Sequence, residues 1–140
     1  MTKPLTVYKA SAGSGKTFTL AVEYIKLLVE NPQQYRNILA VTFTNKATEE
    51  MKMRILSQLY GIWNQYPDSD QYTKKICAEL NCSVEFLRGR VNTALKLLIH
   101  NYSFFRIETI DSFFQSVLRN LAHELDLTPN LRIELNDDEV

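Results

Sequence analysis

The chain has 140 residues, 45% hydrophobic and 23% charged, enough for one modest domain that buries a real core. Formal net charge is zero, yet residues 1–66 hold eight Lys/Arg against four Asp/Glu and residues 67–140 hold eight against twelve, so any polyanion would favour the first half, although a solvated surface explains the asymmetry equally well. No apolar stretch approaches membrane-spanning length, Met1-Thr2-Lys3-Pro4 lacks a signal peptide's apolar segment, and Cys77 and Cys82 have no second Cys/His pair to complete a zinc site; the expectation is a cytoplasmic protein with two reduced thiols and no membrane partner.

Leu5–Lys9 reads as a short buried strand, and Ala10-Ser11-Ala12-Gly13-Ser14-Gly15-Lys16-Thr17 follows it directly. A loop between a strand and a helix points successive backbone N–H groups at a bound phosphate. Gly13 and Gly15 allow the close backbone approach that a Cβ would resist. Ala12, Gly13, Ser14, Gly15, Lys16 and Thr17 are therefore the expected nucleotide site. Lys16 would meet the β- and γ-phosphates of ATP, and the Thr17 hydroxyl would hold Mg²⁺. The general pattern is G-x-x-x-x-G-K-[ST], and its first glycine is Ala10 here.

Thr17–Glu30 is helical with apolar residues almost all round, so it should be packed on more than one side. Asn31-Pro32 stops it. Asn37–Phe43 contains the continuous apolar run of a parallel strand, and Thr44 or Asn45 caps a long helix with the stripe Ala47, Met51, Ile55, Leu59 and Ile62. Pro67-Asp68-Ser69-Asp70 breaks the chain before two further helices, Tyr72–Leu80 and Ser83–Asn101. Trp63 and Tyr66, at the end of the long helix, should pack against that helical stretch. Phe104–Glu108 reads as another strand, and Thr109–Leu125 as a helix whose face Ile110, Phe113, Phe114, Val117, Leu121 and Leu125 should be core. Leu131–Leu135 alternates like a short strand, and Asn136-Asp137-Asp138-Glu139 looks like a helix start. His100 and His123 have no partners at ligand spacing and should lie on the surface. Strand–helix alternation implies an α/β fold: a P-loop NTPase-type parallel sheet with flanking helices over 1–66 and 102–140, interrupted by a helical insertion at 67–101.

Three segments together resemble the superfamily 1 DNA helicases of the UvrD/Rep type. The first is Ala10 to Thr17, where these helicases commonly carry Ala in place of the first Gly. The second is Ile38-Leu39-Ala40-Val41-Thr42-Phe43-Thr44-Asn45-Lys46-Ala47-Thr48-Glu49-Glu50-Met51, which matches a family block that touches single-stranded DNA. The third is Glu108-Thr109-Ile110-Asp111-Ser112-Phe113, similar to a Thr-x-His-(Gly/Ser)-Phe block along the DNA track, with Asp111 standing where the family often has His. The helical insertion and the position of the loop close to Met1 look like the RecB/AddA branch of helicase–nuclease subunits. The resemblance implies contacts from Phe43, Thr44, Asn45, Lys46, Asp111 and Ser112 to single-stranded DNA and to duplex junctions. It also implies further helicase domains, and a nuclease domain or partner subunit.

The residues themselves leave alternatives. Phe43 could stack on a base or be core, Thr44 and Asn45 could contact DNA or merely cap a helix, and Asp111-Ser112 could be an ordinary cap. No apolar strand ending in Asp-Glu occurs to supply carboxylates for hydrolysis, and Leu131 to Asp138 is a poor mimic because charges lie inside the strand. The expected function is thus an ATP-binding N-terminal piece of an ATP-dependent helicase in recombination or repair, itself without turnover. The alternative is a stand-alone nucleotide- or DNA-binding module.

Overall fold

The computed structural model describes residues 14–125. The expected strands Leu5–Lys9 and Leu131–Leu135, the loop residues Ala10–Gly13 and the acidic run at 136–139 lie outside them. The described residues are mostly helical, with one small two-stranded parallel sheet. Helix α1 spans Ser14–Glu30, strand β1 Leu39–Thr42 and helix α2 Asn45–Trp63. Helices α3, Asp70–Leu80, and α4, Val84–His100, precede strand β2, Arg106–Thr109, and helix α5, Ile110–Glu124.

Local chemistry sets the breaks. Pro32 cannot donate a backbone bond, so α1 gives way to a tight helical turn over Pro32–Asn37, whose start is capped by Asn31 Oδ1 accepting from Gln33 N at 3.2 Å. Asn81 takes a left-handed backbone, φ 53°, and its N–H closes α3 on the Cys77 carbonyl. Ser83 then caps α4 by accepting from Phe86 N at 3.1 Å.

One core joins these helices. Leu20, Ala21, Val22, Tyr24, Ile25, Leu28 and Val29 of α1 are buried, so α1 is packed around most of its girth as its composition requires. The stripe Met51, Ile55, Leu59 and Ile62 of α2 faces Leu87, Val91, Ala94, Leu95 and Leu98 of α4 in the same cluster. Each fully buried Ile or Leu contributes about 1.5–3 kcal/mol. Tyr72 and Ile76 tie α3 into that core, and Lys26 Nζ bonds Glu79 at 2.7 Å across α1 and α3. Trp63 packs on α4: Arg88 lies 5.0 Å over its ring and donates to its carbonyl at 2.9 Å.

Three expectations need correction. Tyr66, expected to be packed, is exposed and meets Tyr60 edge-on at 5.9 Å, just after the left-handed backbone of Gln65, φ 57°. Phe104 is not in the sheet; it sits exposed in a tight turn, with the Arg36 guanidinium 4.5 Å over its ring. The stripe of α5 is not core: Phe114, Val117, Leu121 and Leu125 are exposed, Ile110 and Phe113 half-buried, and Ala122 alone of the helix is buried. Periodicity reports that a face is apolar, not what covers it. Among the described residues, α5 packs against β1 and β2.

Candidate functional site

Helix α1 begins at Ser14, which places Ser14, Gly15, Lys16 and Thr17 in its first turn. The first backbone N–H groups of a helix have no partner within it, and they carry the positive end of its dipole. Helix N-termini in general favour anions for that reason. Ala12 and Gly13 lie outside the described residues, and Thr17 is half-buried.

The second part of the site is an edge of the sheet. β1 and β2 are parallel and in register, Leu39 opposite Arg106 and Thr42 opposite Thr109. Parallel strands in register deliver their outgoing turns to one edge, so Phe43–Lys46 and Ile110–Ser112 both leave the carboxyl ends side by side. Thr44 is the cap of α2: its backbone is extended and its Oγ1 accepts from Ala47 N at 3.0 Å. Thr109 is the cap of α5, accepting from Ser112 N at 3.2 Å and donating to Ser112 Oγ at 3.0 Å. Asp111 and Ser112 thus stand in the first turn of α5 rather than at its cap, and both are exposed.

Phe43 is 55% exposed, so it is not a core residue and its ring is available at the edge. Asn45 and Lys46 are exposed beside it. The other described cations of residues 17–66 are engaged. Lys26 is ion-paired with Glu79 and Glu23, Arg36 stacks on Tyr35 and Phe104, Lys52 lies over Tyr102, and Arg54 donates to the Tyr72 hydroxyl. Lys46 has no such contact among the described residues. Among the described residues of the first half, this edge therefore holds one uncommitted cation, Lys46.

Sequence reasoning missed Thr42, Thr48 and Thr109. Thr42 and Thr48 are buried and their hydroxyls bond each other at 2.5 Å. The available signal was Thr48 standing three residues before Met51 on the buried stripe of α2, where an apolar residue is expected. Away from the site, His100 and His123 are exposed as expected. Cys77 and Cys82 are unpaired and half-buried; burial, then the neighbouring Cys82, pushes the Cys77 thiol up to about 11. No group of His, Cys, Asp and Glu among the described residues could hold a metal ion, and no helix among them is long and apolar enough to cross a membrane.

The described parts of the candidate site are therefore a helix that starts at Ser14 and a parallel-sheet edge carrying two capped turns. The family model for the UvrD/REP helicase N-terminal domain matches residues 1–140, and the chain belongs to that family. Its relatives include an ATP-dependent helicase/nuclease subunit from Thermoanaerobacter sp. (strain X514), 37% identical over 126 residues, which are 89% of this chain and 8% of that protein. The proteins of the same name from Clostridium novyi (strain NT), 34% identical, and Bacillus cereus (strain AH820), 35% identical, match over the same 89% of this chain and 8% of their own length. The chain thus spans about 8% of the length of the relatives it matches. No solved structure matches it significantly.

Proposed function

We propose that this chain is the ATP-binding N-terminal part of an ATP-dependent DNA helicase that translocates on single-stranded DNA and unwinds duplex in recombination or repair. The observation that carries the reading is the parallel register Thr42 opposite Thr109, which delivers the turns after both strands to one edge. The start of α1 at Ser14 supports the nucleotide half. The relatives' name, which describes ATP-dependent helicase/nuclease subunits, supports ATP use and both a helicase and a nuclease activity in the whole protein. In this reading the whole protein works on DNA in the cytoplasm.

Residues 1–66 and 102–140 then form part of a P-loop motor domain, with 67–101 inserted. Ala12 to Thr17 cradle the phosphates through backbone N–H groups; Lys16 pairs with the β- and γ-phosphates, and the Thr17 hydroxyl is the Mg²⁺ ligand. The nucleotide with its Mg²⁺ supplies the free energy of phosphoryl transfer. Phe43 stacks on a base, while Thr44, Asn45 and Ser112 bond phosphate and sugar oxygens, contacts that position a strand without reading its sequence. Lys46 adds a salt-sensitive attraction. Capping and DNA contact coexist, because Thr44 Oγ1 accepts from Ala47 N while its O–H remains a donor.

The test is calorimetric titration of ATP with Mg²⁺ into the wild-type chain and into Lys16→Ala. Binding by wild type that is lost in Lys16→Ala supports the reading, and equal binding by both refutes the assignment. Phosphate release by this chain alone should stay at background with and without DNA, because the carboxylates and the arginine that hydrolysis requires are not evident in its sequence.

A further inference from the structure

The turn between β1 and α2 is held by a hydroxyl relay that the proposed DNA contacts do not use. Thr42, the last residue of β1, is 2% exposed, and Thr48, in the first turn of α2, is 8% exposed. With Ser69 they are the buried polar or charged residues among those described, so two of the three lie within this one turn. Their Oγ1 atoms are 2.5 Å apart, and Thr42 Oγ1 also lies 3.3 Å from the Thr44 carbonyl.

A hydroxyl has one proton, so the network has one direction that satisfies every group. Thr48 O–H donates to Thr42 Oγ1, and Thr42 O–H donates to the Thr44 carbonyl. That carbonyl also accepts from Thr48 N at 3.0 Å, while the Thr44 hydroxyl oxygen accepts from Ala47 N. A threonine within a helix ordinarily turns its hydroxyl back to the carbonyl four residues earlier, here that of Thr44. Thr48 instead reaches past it to the strand. The relay thereby ties the end of β1, the carbonyl of the cap residue and the first turn of α2 into one ring of bonds. The segment held inside that ring is Phe43 to Ala47, whose Phe43, Asn45 and Lys46 side chains face solvent.

We infer that Thr42 and Thr48 are positioning residues: their buried hydroxyl pair locks the Phe43–Lys46 turn in the one conformation that presents its side chains to single-stranded DNA. The inference rests on the DNA-track reading above, and its two parts can fail separately. A Val in place of either Thr keeps volume and branching and removes the hydroxyl, whereas Ser keeps the hydroxyl. Losing one bond of the relay should speed exchange of the two bonded amides of the turn, Ala47 and Thr48, about fivefold. Exchange in the α1 and α4 cores should not change.

The experiment measures amide exchange, thermal melting and affinity for a fluorescent oligothymidylate at low salt, on the whole chain. The variants are Thr42→Val, Thr48→Val, Thr42→Ser, Thr48→Ser and Lys46→Ala. The expected result is faster exchange confined to the turn in both Val variants. Their oligonucleotide affinity should fall about fivefold at temperatures where each variant remains fully folded, and Ser should restore both readouts. Unchanged exchange at Ala47 and Thr48 in both Val variants overturns the lock. Faster exchange without loss of affinity, while Lys46→Ala does weaken binding, overturns the positioning role and leaves the DNA track standing. No binding by wild type, or no effect of Lys46→Ala, overturns the DNA-track reading and with it the positioning role, and the exchange data then decide the lock alone. If a Val variant fails to fold, its Ser counterpart decides: wild-type exchange and affinity in Ser support the lock, and their loss refutes it.

Discussion

Thr44 is the residue at which capping and DNA contact can be separated, because one substitution preserves the first and opposes the second. Its Oγ1 accepts from Ala47 N at 3.0 Å on a helix of 19 residues that buries Met51, Ile55, Leu59 and Ile62. Thr44→Ala removes that acceptor and should cost about 1 kcal/mol. For a chain of this size that is a fall in Tm of roughly 3–5 °C. Thr44→Asp restores an acceptor of equal or better capping strength and places a negative charge at the positive end of the helix dipole, so its Tm should match or slightly exceed wild type. On the proposed DNA track the same charge would face the phosphates of a bound strand. One unit charge about 4 Å from a phosphate in water opposes it by about 1 kcal/mol, roughly a fivefold loss of affinity that salt reduces. Thermal melts paired with oligothymidylate anisotropy at two salt concentrations read both effects. A Thr44→Ala variant that melts with wild type would refute the cap. A Thr44→Asp variant with wild-type stability and wild-type affinity would remove the turn from the DNA track.

Other substitutions test other links. Asp111, exposed in the first turn of α5, favours that helix end but repels a phosphate, so Asp111→Asn should tighten oligonucleotide binding about twofold to fivefold while lowering Tm by a degree or two; weaker binding would mean that the carboxylate is itself a contact. A Cβ on Gly61 would overlap the Ser69 hydroxyl and come within 3.1 Å of its Cβ, so Gly61→Ala should break the Ser69–Gln58 bond of 2.7 Å and cost about 1–3 kcal/mol by thermal melting. Lys26 holds the exposed Glu79 carboxyl below the usual carboxylate range. The stabilisation from Glu79 is present above its unfolded pKa and lost as pH falls through the lower folded value. Glu79→Gln should therefore lower Tm slightly near neutrality, leave it unchanged in strong acid and so flatten the acid limb of Tm against pH; an unaltered acid limb would refute the assignment. Leu121→Lys, at a position 50% exposed, should move stability by less than about 0.5 kcal/mol, whereas a core position would lose several times more.

How much of this was legible depends on the range of the interaction concerned. Helix α1, strand β1, the cap of α2 and the break at Pro67 are set by neighbours in sequence, through apolar spacing, capping oxygens and prolines; α1 starts three residues before the expected Thr17, β1 is Leu39–Thr42 within the expected 37–43, and of the two expected caps it is Thr44 that serves. The edge shared by Phe43–Lys46 and Asp111–Ser112 was legible too, since parallel strands leave no other place for the turns that follow them. What could not be read was the partner of each face. The stripe of α5 has helical spacing as regular as that of α2, yet α2 meets α4 and the α5 stripe is exposed. Tyr66 and Phe104 are aromatic like Trp63, but both are exposed, Tyr66 just after the left-handed backbone of Gln65. The pairing of Thr42 with Thr48 was not legible for a related reason: Thr48 stands out on the apolar stripe of α2, but its partner is fixed by a distance between a strand end and a helix turn.

The electrostatics of the edge follow from backbone geometry more than from side-chain charge. Thr44 and Thr109 cap helices that both start at the carboxyl edge, so α2 and α5 each bring a positive dipole end to it. Each helix end carries the equivalent of roughly half a positive charge. The side chains nearly cancel, with Lys46 on one turn and Asp111 on the other. On the proposed DNA track both helix ends and Lys46 would attract phosphate, and the share that releases counterions would fall to Lys46. Affinity should accordingly fall by about 0.7 log units per log unit of salt if Lys46 alone neutralises a phosphate. Lys46→Ala should bring that slope near zero and leave measurable binding. A steep slope surviving in Lys46→Ala would mean that other cations form the track, and that the two helix ends are not what holds the strand.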